Sequence, residues 1–369
     1  MRTLPARLTA LDAFRGLTIA GMILVNTPGS WSYVYPPLRH AEWEGCTPTD
    51  LVFPFFLFIV GVAMWYSFKK FDHRPSPEAW RKILKRAALI FLIGLGLNAF
   101  PFYDHSLSTL RIMGVLQRIS VAFLFGAAIC ITVPRKRLHW VVATILLGYW
   151  ALLRFLGGEG AYDLETNIAR QVDLAVLGEA HVWRGFGIPF DPEGLMSSLP
   201  AVATVVLGFM LGSYIDRSKL QGAALPTICV FGVIGVALGL VWHQSFPIIK
   251  GLWTSSYVVY TAGIAAVLLA IFLWLIDVKG WKRWAQPFVV FGMNPLFIYA
   301  LSVLFVKILT RIRWESDGET VNAFGWAYEA VFVPLAGNLN GSLLFALTYV
   351  FIHWLIAWWL FRRRIFIKV

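Results

Sequence analysis

Histidine titrates near neutral pH and serves as general base or nucleophile, and His40 lies in a short loop between two apolar segments. The surrounding stretch reads LDAFRGLTIAGMILVNTPGSWSYVYPPLRHAEWEGCTPTDLVFPFFLFIVG, from Leu11 to Gly61. Both segments are long enough to cross a bilayer, yet they carry Asp12, Arg15, Asn26 and Asp50. Ionisable groups at membrane depth are expensive and by default mark functional sites. At 100° per residue, Asp12, Arg15 and Asn26 fall within about 60° of one another on a helix, with Asp12 and Asn26 about 21 Å apart along the axis. They form a polar stripe that ends near the His40 loop. Tyr35 and Trp43 are placed to shield that loop from water. The bland alternatives are a histidine that bonds a loop carbonyl and, for Asp50, an acid in the first turn of the second helix, where the dipole favours it.

Further along, RIMGVLQR places Arg111 and Arg118 within about 20° of each other on a helix, with Gln117 beside them. Arg118 is expected inside the bilayer, where it needs a partner, and Asp12 and Asp50 are the candidates. In GMNP, Asn294 precedes a helix-breaking proline, and broken backbone at that depth is tolerated where it is buried or lines a cavity. A kink satisfied by a side-chain amide is the plainer reading. The sequence has no P-loop, no HExxH, no Rossmann glycine fingerprint and no GxSxG, which removes support for a nucleotide motor, zincin, dehydrogenase or serine hydrolase.

The elements that must position these groups follow from composition. With 369 residues, 58% of them hydrophobic and 14% charged, and a mean hydropathy of +0.68, the chain fits an all-α polytopic membrane protein rather than a soluble globule. Its apolar runs of about 20 residues argue for helices, not barrel strands. Ten spans are predicted, at roughly 9–28, 49–68, 83–100, 111–133, 138–156, 195–215, 223–243, 254–276, 285–305 and 342–361. The start, MRTLPAR before an apolar run, is read as part of the first span rather than a signal peptide, because Asp12 and Arg15 interrupt the run. With both termini cytoplasmic, Arg2, Arg7, the basic 69–86 loop, the PRKR turn and the RRR tail share one side, which collects about 21 of the 32 Lys and Arg, in keeping with the positive-inside rule. The net charge of +12 is then mostly topology and gives no basis for nucleic-acid binding. On the other side lie the His40 loop and segments of about 157–194 and 306–341, the latter holding Asp317, long enough to be binding loops. Cys46, Cys130 and Cys229 are three, without metal-ligand spacing, so neither a disulfide framework nor a metal site is expected. The whole chain, 1–369, is read as a single transmembrane domain in the bilayer.

Taken together, LDAFRG, the asparagine closing the first span, RHAEWEGCTPTDLVFPFFLFIVG, RIMGVLQR, FDPEGLMSSLPAVATVVLG, LWTSSYV and GMNPLFIY resemble, in order and over nearly the whole chain, the heparan-α-glucosaminide N-acetyltransferase family of membrane acetyltransferases. The resemblance implies an acetyl-CoA-dependent acyltransferase that moves acetyl from cytoplasmic acetyl-CoA to an amino-sugar amine across the membrane, here in the periplasm of a bacterium and at its inner membrane. The family's active histidine and nearby asparagine match His40 and Asn26. Asp12, Arg15, Asp50, Arg111, Gln117, Arg118, Glu193, Ser256 and Asn294 form the expected substrate-binding, CoA-binding and supporting set. The co-substrate is acetyl-CoA, no metal is implied, and a homodimer is left open. An acetyl-histidine intermediate and direct transfer in a ternary complex are both compatible with the residues. So is a different class, an amino-sugar transporter with His40 as gate or proton site.

Overall fold

In hydrocarbon an apolar run satisfies its own backbone polar groups by closing into a helix. The computed structural model describes residues 8–102, 107–220, 224–316 and 318–367, so Arg2, Arg7 and Asp317 lie outside the described residues. Its helices are α1 (Thr9–Asn26), α2 (Pro48–Phe68), α3 (Pro77–Ala99), α4 (Val115–Thr132), α5 (Leu138–Leu156), α6 (Ile168–Leu177), α7 (Leu195–Ser218), α8 (Ala224–His243), α9 (Ser255–Phe272), α10 (Gln286–Met293), α11 (Pro295–Leu309), α12 (Ala323–Ala327) and α13 (Val333–Arg362). One antiparallel hairpin, β1 (Arg313–Ser316) with β2 (Glu319–Asn322), pairs Arg313 with Asn322 and Ser316 with Glu319.

Among the described residues, 7 helices are long and apolar enough to span a membrane, or 8 if α10 and α11, bent by 83° at their junction, count as one. Helices form at all ten predicted places, but α1 and α3 do not reach that apolarity. The reason is in their side chains: α1 carries Asp12 and Arg15, and α3 opens on Glu78, Arg81, Lys82, Lys85 and Arg86. The segment expected as a 306–341 loop is corrected. It holds the end of α11, the hairpin, α12 and the start of α13, whose apolar run reaches back to Ala323, with a kink at Gly337 (φ 73°) that a glycine accommodates without a Cβ clash. The break before Pro295 falls where GMNP places it.

The described chain forms two compact units. One contains Met1–His40, Thr47–Phe53 and Phe272–Val369. Here α1 and α10 cross backbone on backbone: a Cβ on Gly16 would sit 1.7 Å from the Phe288 carbonyl oxygen, and one on Gly292 would sit 2.0 Å from that of Asp12. Leu8 offers α1 no side-chain cap, and Asp277 supplies it instead, accepting from the amides of Thr9 at 3.2 Å and Ala10 at 3.1 Å. The chain after α1 is tied to α13, because Ser30 N–H donates to Ser342 Oγ at 3.1 Å and the Tyr35 hydroxyl bonds Asn340.

The other unit contains Ala41–Cys46 and Pro54–Ile271. Its α2 and α7 meet through Gly61 and Gly208, where any Cβ would lie 2.0 Å from the facing carbonyl oxygens of Val205 and Phe58. The 157–194 segment is ordered over an apolar cluster of Tyr149, Leu153, Phe190, Phe246 and Leu252. Trp43 joins that cluster, edge-on to Phe186 and Phe190, and its indole N–H donates to the Tyr162 carbonyl at 2.9 Å. The loop aromatics thus pack on this cluster, and α6 joins it through Ala169.

Candidate active site

The local sequence Thr47-Pro48-Thr49-Asp50 starts α2. Proline suits the first helical position, where its missing N–H is no loss. Thr47 and Asp50, three apart, make one arm of a capping box: the Thr47 N–H donates to Asp50 Oδ2 at 3.0 Å, and Thr47 Oγ1 lies 3.0 Å from the same oxygen and 2.7 Å from the Arg39 carbonyl. One carboxylate oxygen is therefore committed to starting the helix. The other, Asp50 Oδ1, lies 2.6 Å from His40 Nδ1. The two readings of Asp50 hold at once, since helix cap and histidine partner use different oxygens. Asp50 is buried to 1% exposure, whereas the His40 side chain is 37% exposed. With Nδ1–H donated to Asp50, the imidazole lone pair is at Nε2. This arrangement suits a general base or a nucleophile.

The expected polar stripe is partly closed on itself, because Arg15 Nη2 pairs with Asp12 Oδ1 at 2.5 Å, one turn away on α1. Asn26 is the last residue of α1 and is exposed, and among the described residues its amide has no protein hydrogen-bond partner. Asn294, at the break between α10 and α11, is fully buried and used by the C-terminal segment: its Nδ2 donates to the Ile365 carbonyl at 3.0 Å, and the Ile367 N–H donates to its Oδ1 at 2.7 Å. The amide thus joins the break to the C-terminal segment rather than satisfying the backbone groups freed at the break itself.

In the second unit a separate polar network forms. Arg111 binds Asp191 with two nitrogens, at 2.9 and 2.7 Å, and Glu193 at 2.7 Å. Burial works against the charged guanidinium, but the hydrogen bond to Asp191 and the two carboxylate charges more than offset it and hold the Arg111 pKa above its ordinary value. Arg118 is fully buried, and its partners are neither Asp12 nor Asp50. Its guanidinium donates to Ser197 Oγ, to Ser198 Oγ at 3.4 Å and to the Gly194 carbonyl at 3.5 Å, and lies 4.9 Å over the Trp253 ring. Gln117 is buried between α3 and α4, where a Cβ on Gly94 would meet its Oε1 at 2.5 Å, and its Nε2 has no hydrogen-bond partner. Ser256 is buried too, with its hydroxyl on the Pro247 carbonyl at 3.1 Å. Asp173 of α6 accepts from the Met196 N–H at 3.1 Å, at the start of α7, and burial raises its carboxyl to about 6.

Sequence reasoning passed over Thr47, Asp173, Asp191, Ser197, Ser198 and Trp253. The Thr-Pro-Thr-Asp capping box was a readable signal for the first. Asp191, Ser197 and Ser198 lie inside FDPEGLMSS, where only Glu193 was singled out. Nothing in the sequence around Asp173 announces its role, which depends on α6 meeting the start of α7. Among the described residues no group of three or more His, Cys, Asp or Glu is placed to hold a metal ion.

Residues 7–237 match the family model described as heparan-alpha-glucosaminide N-acetyltransferase, catalytic. The chain belongs to that family. The human heparan-alpha-glucosaminide N-acetyltransferase is 26% identical over 430 aligned residues, covering 100% of this chain and 61% of that protein. The mouse protein of the same name is 29% identical over 351, covering 79% of this chain and 53% of that one. The chain thus spans between half and two thirds of the length of these curated relatives. The family's catalytic match includes His40, Asp50, Arg111, Arg118 and Glu193, and ends before Ser256 and Asn294.

Proposed function

We propose that this chain is a membrane acetyltransferase that takes acetyl from acetyl-CoA bound from the cytoplasm and delivers it to an amine of amino-sugar type on the periplasmic side, with His40 as the reactive group. It is a multi-pass protein of a bacterial inner membrane, with about ten helical crossings and both termini cytoplasmic. The observation that carries the reading is the 2.6 Å approach of His40 Nδ1 to a buried Asp50 oxygen, which fixes the tautomer and leaves Nε2 as the basic nitrogen.

Two routes use this geometry. In direct transfer the acceptor amine attacks the thioester carbonyl, its proton passes to Nε2, the carbon–sulfur bond breaks and the CoA thiolate leaves, to be protonated by the imidazolium. In the two-step route Nε2 attacks the carbonyl, CoA leaves, and the acetyl-imidazole is then opened by the amine. Either way negative charge builds on the carbonyl oxygen. The Asn26 amide, without a protein partner, is the proposed donor to it, a role whose loss in a hydrolase slows turnover about 10²- to 10³-fold. Asp12 and Arg15, paired on α1, and the Arg111, Gln117, Arg118, Glu193, Ser256 and Asn294 groups are assigned to shaping and supporting the binding site.

Acetyl transfer from acetyl-CoA to glucosamine by the purified protein in liposomes, with CoA release followed alongside, tests the reading. Thioester-dependent product that disappears in His40→Ala supports it. Movement of the amino sugar across the bilayer without CoA release would replace the enzyme with a transporter. Trapping a labelled acetyl group on His40 in the absence of acceptor separates the two-step route from the direct one.

A further inference from the structure

In the second unit, three cations surround a cavity of about 500 Å³: Arg135 and Lys136 in the turn before α5, and Arg217 in the last turn of α7. Ser213 and Ser218 add hydroxyls to its wall. The nearest acid on α7, Asp216, is occupied, since its carboxylate accepts from Lys69 Nζ at 2.6 Å and from the Trp65 indole at 3.1 Å. None of Arg135, Lys136 and Arg217 enters an ion pair among the described residues, and the Arg135 guanidinium rests 5.1 Å over the Trp65 ring. The cavity therefore concentrates positive charge without a protein counterion.

A second cavity, of about 390 Å³, is almost wholly apolar and runs between α7, α8 and α9. Its floor is low because α8 and α9 touch through glycines: a Cβ on Gly232 would lie 2.8 Å from the Gly263 carbonyl oxygen, and one on Gly263 would lie 2.6 Å from that of Gly232. Met210 and Tyr214 line both cavities, so the basic cavity and the apolar groove adjoin along α7. Phe231, on the groove's rim, is 68% exposed, and the neighbouring α8 residues Val230 and Val233 are 56% and 59% exposed, so this flank presents the apolar surface expected in contact with acyl chains.

An anion-binding head beside an apolar trough matches an amphiphile. Basic pockets next to transmembrane helices on the cytoplasmic side hold lipid phosphates, and arginine binds phosphate through two parallel N–H donors. Both cavities fall in the size range of ordinary ligand sites. We propose that Arg135, Lys136 and Arg217 bind the phosphate of an anionic glycerophospholipid whose acyl chain lies in the groove between α7, α8 and α9. The site is independent of the acetyl-transfer reading, and occupying it should tie the end of α7 to the start of α5.

The test is thermal unfolding of the protein in nanodiscs of phosphatidylcholine alone or with phosphatidylglycerol of the same chains, together with photocrosslinking of a diazirine-bearing phosphatidylglycerol to the unaltered protein. The expected result is a higher midpoint with phosphatidylglycerol and crosslinks on α7 and α8. The preference should vanish in the Arg135→Gln, Lys136→Gln, Arg217→Gln triple variant, which changes only exposed side chains, and weaken in Leu207→Trp, which fills the groove. Glycerol phosphate and inorganic phosphate should not reproduce the shift, because neither uses the groove. Equal midpoints in the two lipids, crosslinks elsewhere, a preference unchanged in both variants, or an equal shift with glycerol phosphate would each overturn the proposal. Loss of the crosslinks on adding CoA would also overturn it, giving the basic cavity to the phosphates of the co-substrate.

Discussion

His40 and Arg111 are both held by buried carboxylates, yet to opposite ends. Asp50 meets His40 through a single oxygen, and the imidazole keeps 37% of its surface exposed. Asp191 and Glu193 together meet Arg111, with the Asp191 side chain at 0% exposure and the guanidinium bonded on two nitrogens. In the first case the partner orients a ring nitrogen of a side chain that is more than a third exposed. In the second the guanidinium is taken up by two carboxylates, and the three groups tie the segment before α4 to the segment before α7. A carboxylate beside a basic group is therefore not by itself a sign of chemistry. What separates the two is whether capacity to exchange a proton or bind a ligand remains once the protein contacts are made.

The contrast can be broken most sharply at His40. His40→Ala is expected to lower acetyl transfer by about 10²- to 10⁴-fold, the usual range for a lost acid–base group, while the unfolding midpoint in detergent stays near that of the parent. A variant that transfers acetyl at the parent rate would reduce His40 to a loop contact.

Arg111→Leu should act first on stability. It leaves the buried Asp191 and the half-buried Glu193 without their counter-charge, which costs about 3–5 kcal/mol, and any folded fraction should lose far less turnover per molecule than His40→Ala. Arg118→Leu is the milder partner, at about 1–3 kcal/mol, since it abandons two hydroxyls and a carbonyl rather than a charge. Full stability with lost turnover in either variant would move that arginine into the reaction.

Asp173 sharpens the structural side through pH. Burial raises its carboxyl from 3.8 to about 6, against the pull of the Met196 N–H. A carboxyl raised on folding favours the folded state while protonated, so its contribution is complete below about pH 4 and is lost as pH rises through about 6. That loss amounts to about 3 kcal/mol. Asp173→Asn, a permanent stand-in for the protonated acid, should flatten this part of the stability profile measured by thermal unfolding. An unchanged slope would show that Asp173 stays ionised in the fold. His73 gives a slope of opposite sign: burial and the neighbouring Arg135 lower it from 6.5 to about 4, so its contribution is present above about pH 6.5 and lost as pH falls through 4.

The smallest effect is expected at Thr47. Thr47→Val removes the hydroxyl bonded to the Arg39 carbonyl, at about 1 kcal/mol, and keeps the backbone N–H on Asp50 and the His40–Asp50 contact. Turnover should change little; a large fall would mean that the hydroxyl positions Asp50 for chemistry rather than for the helix.

The sequence by itself determined the helical class, the places of the long apolar helices, the break at Asn294 and Pro295, and the family. Each rests on local properties: apolar run length, a proline that cannot continue a helix, and a long motif block. Tertiary structure alone decided the pairings. Arg118 was assigned to Asp12 or Asp50 because a buried charge needs a partner, but the start of α7 supplies hydroxyls and a carbonyl, while Asp12 and Asp50 pair with Arg15 and His40. The expected 306–341 loop became hairpin and helix, since α13 already begins at Val333 and its apolar run reaches back to Ala323. Helical periodicity fixes which residues share a face, whereas the neighbour of that face depends on how helices far apart in sequence cross, and here glycines such as Gly16, Gly61, Gly208 and Gly292 set those crossings.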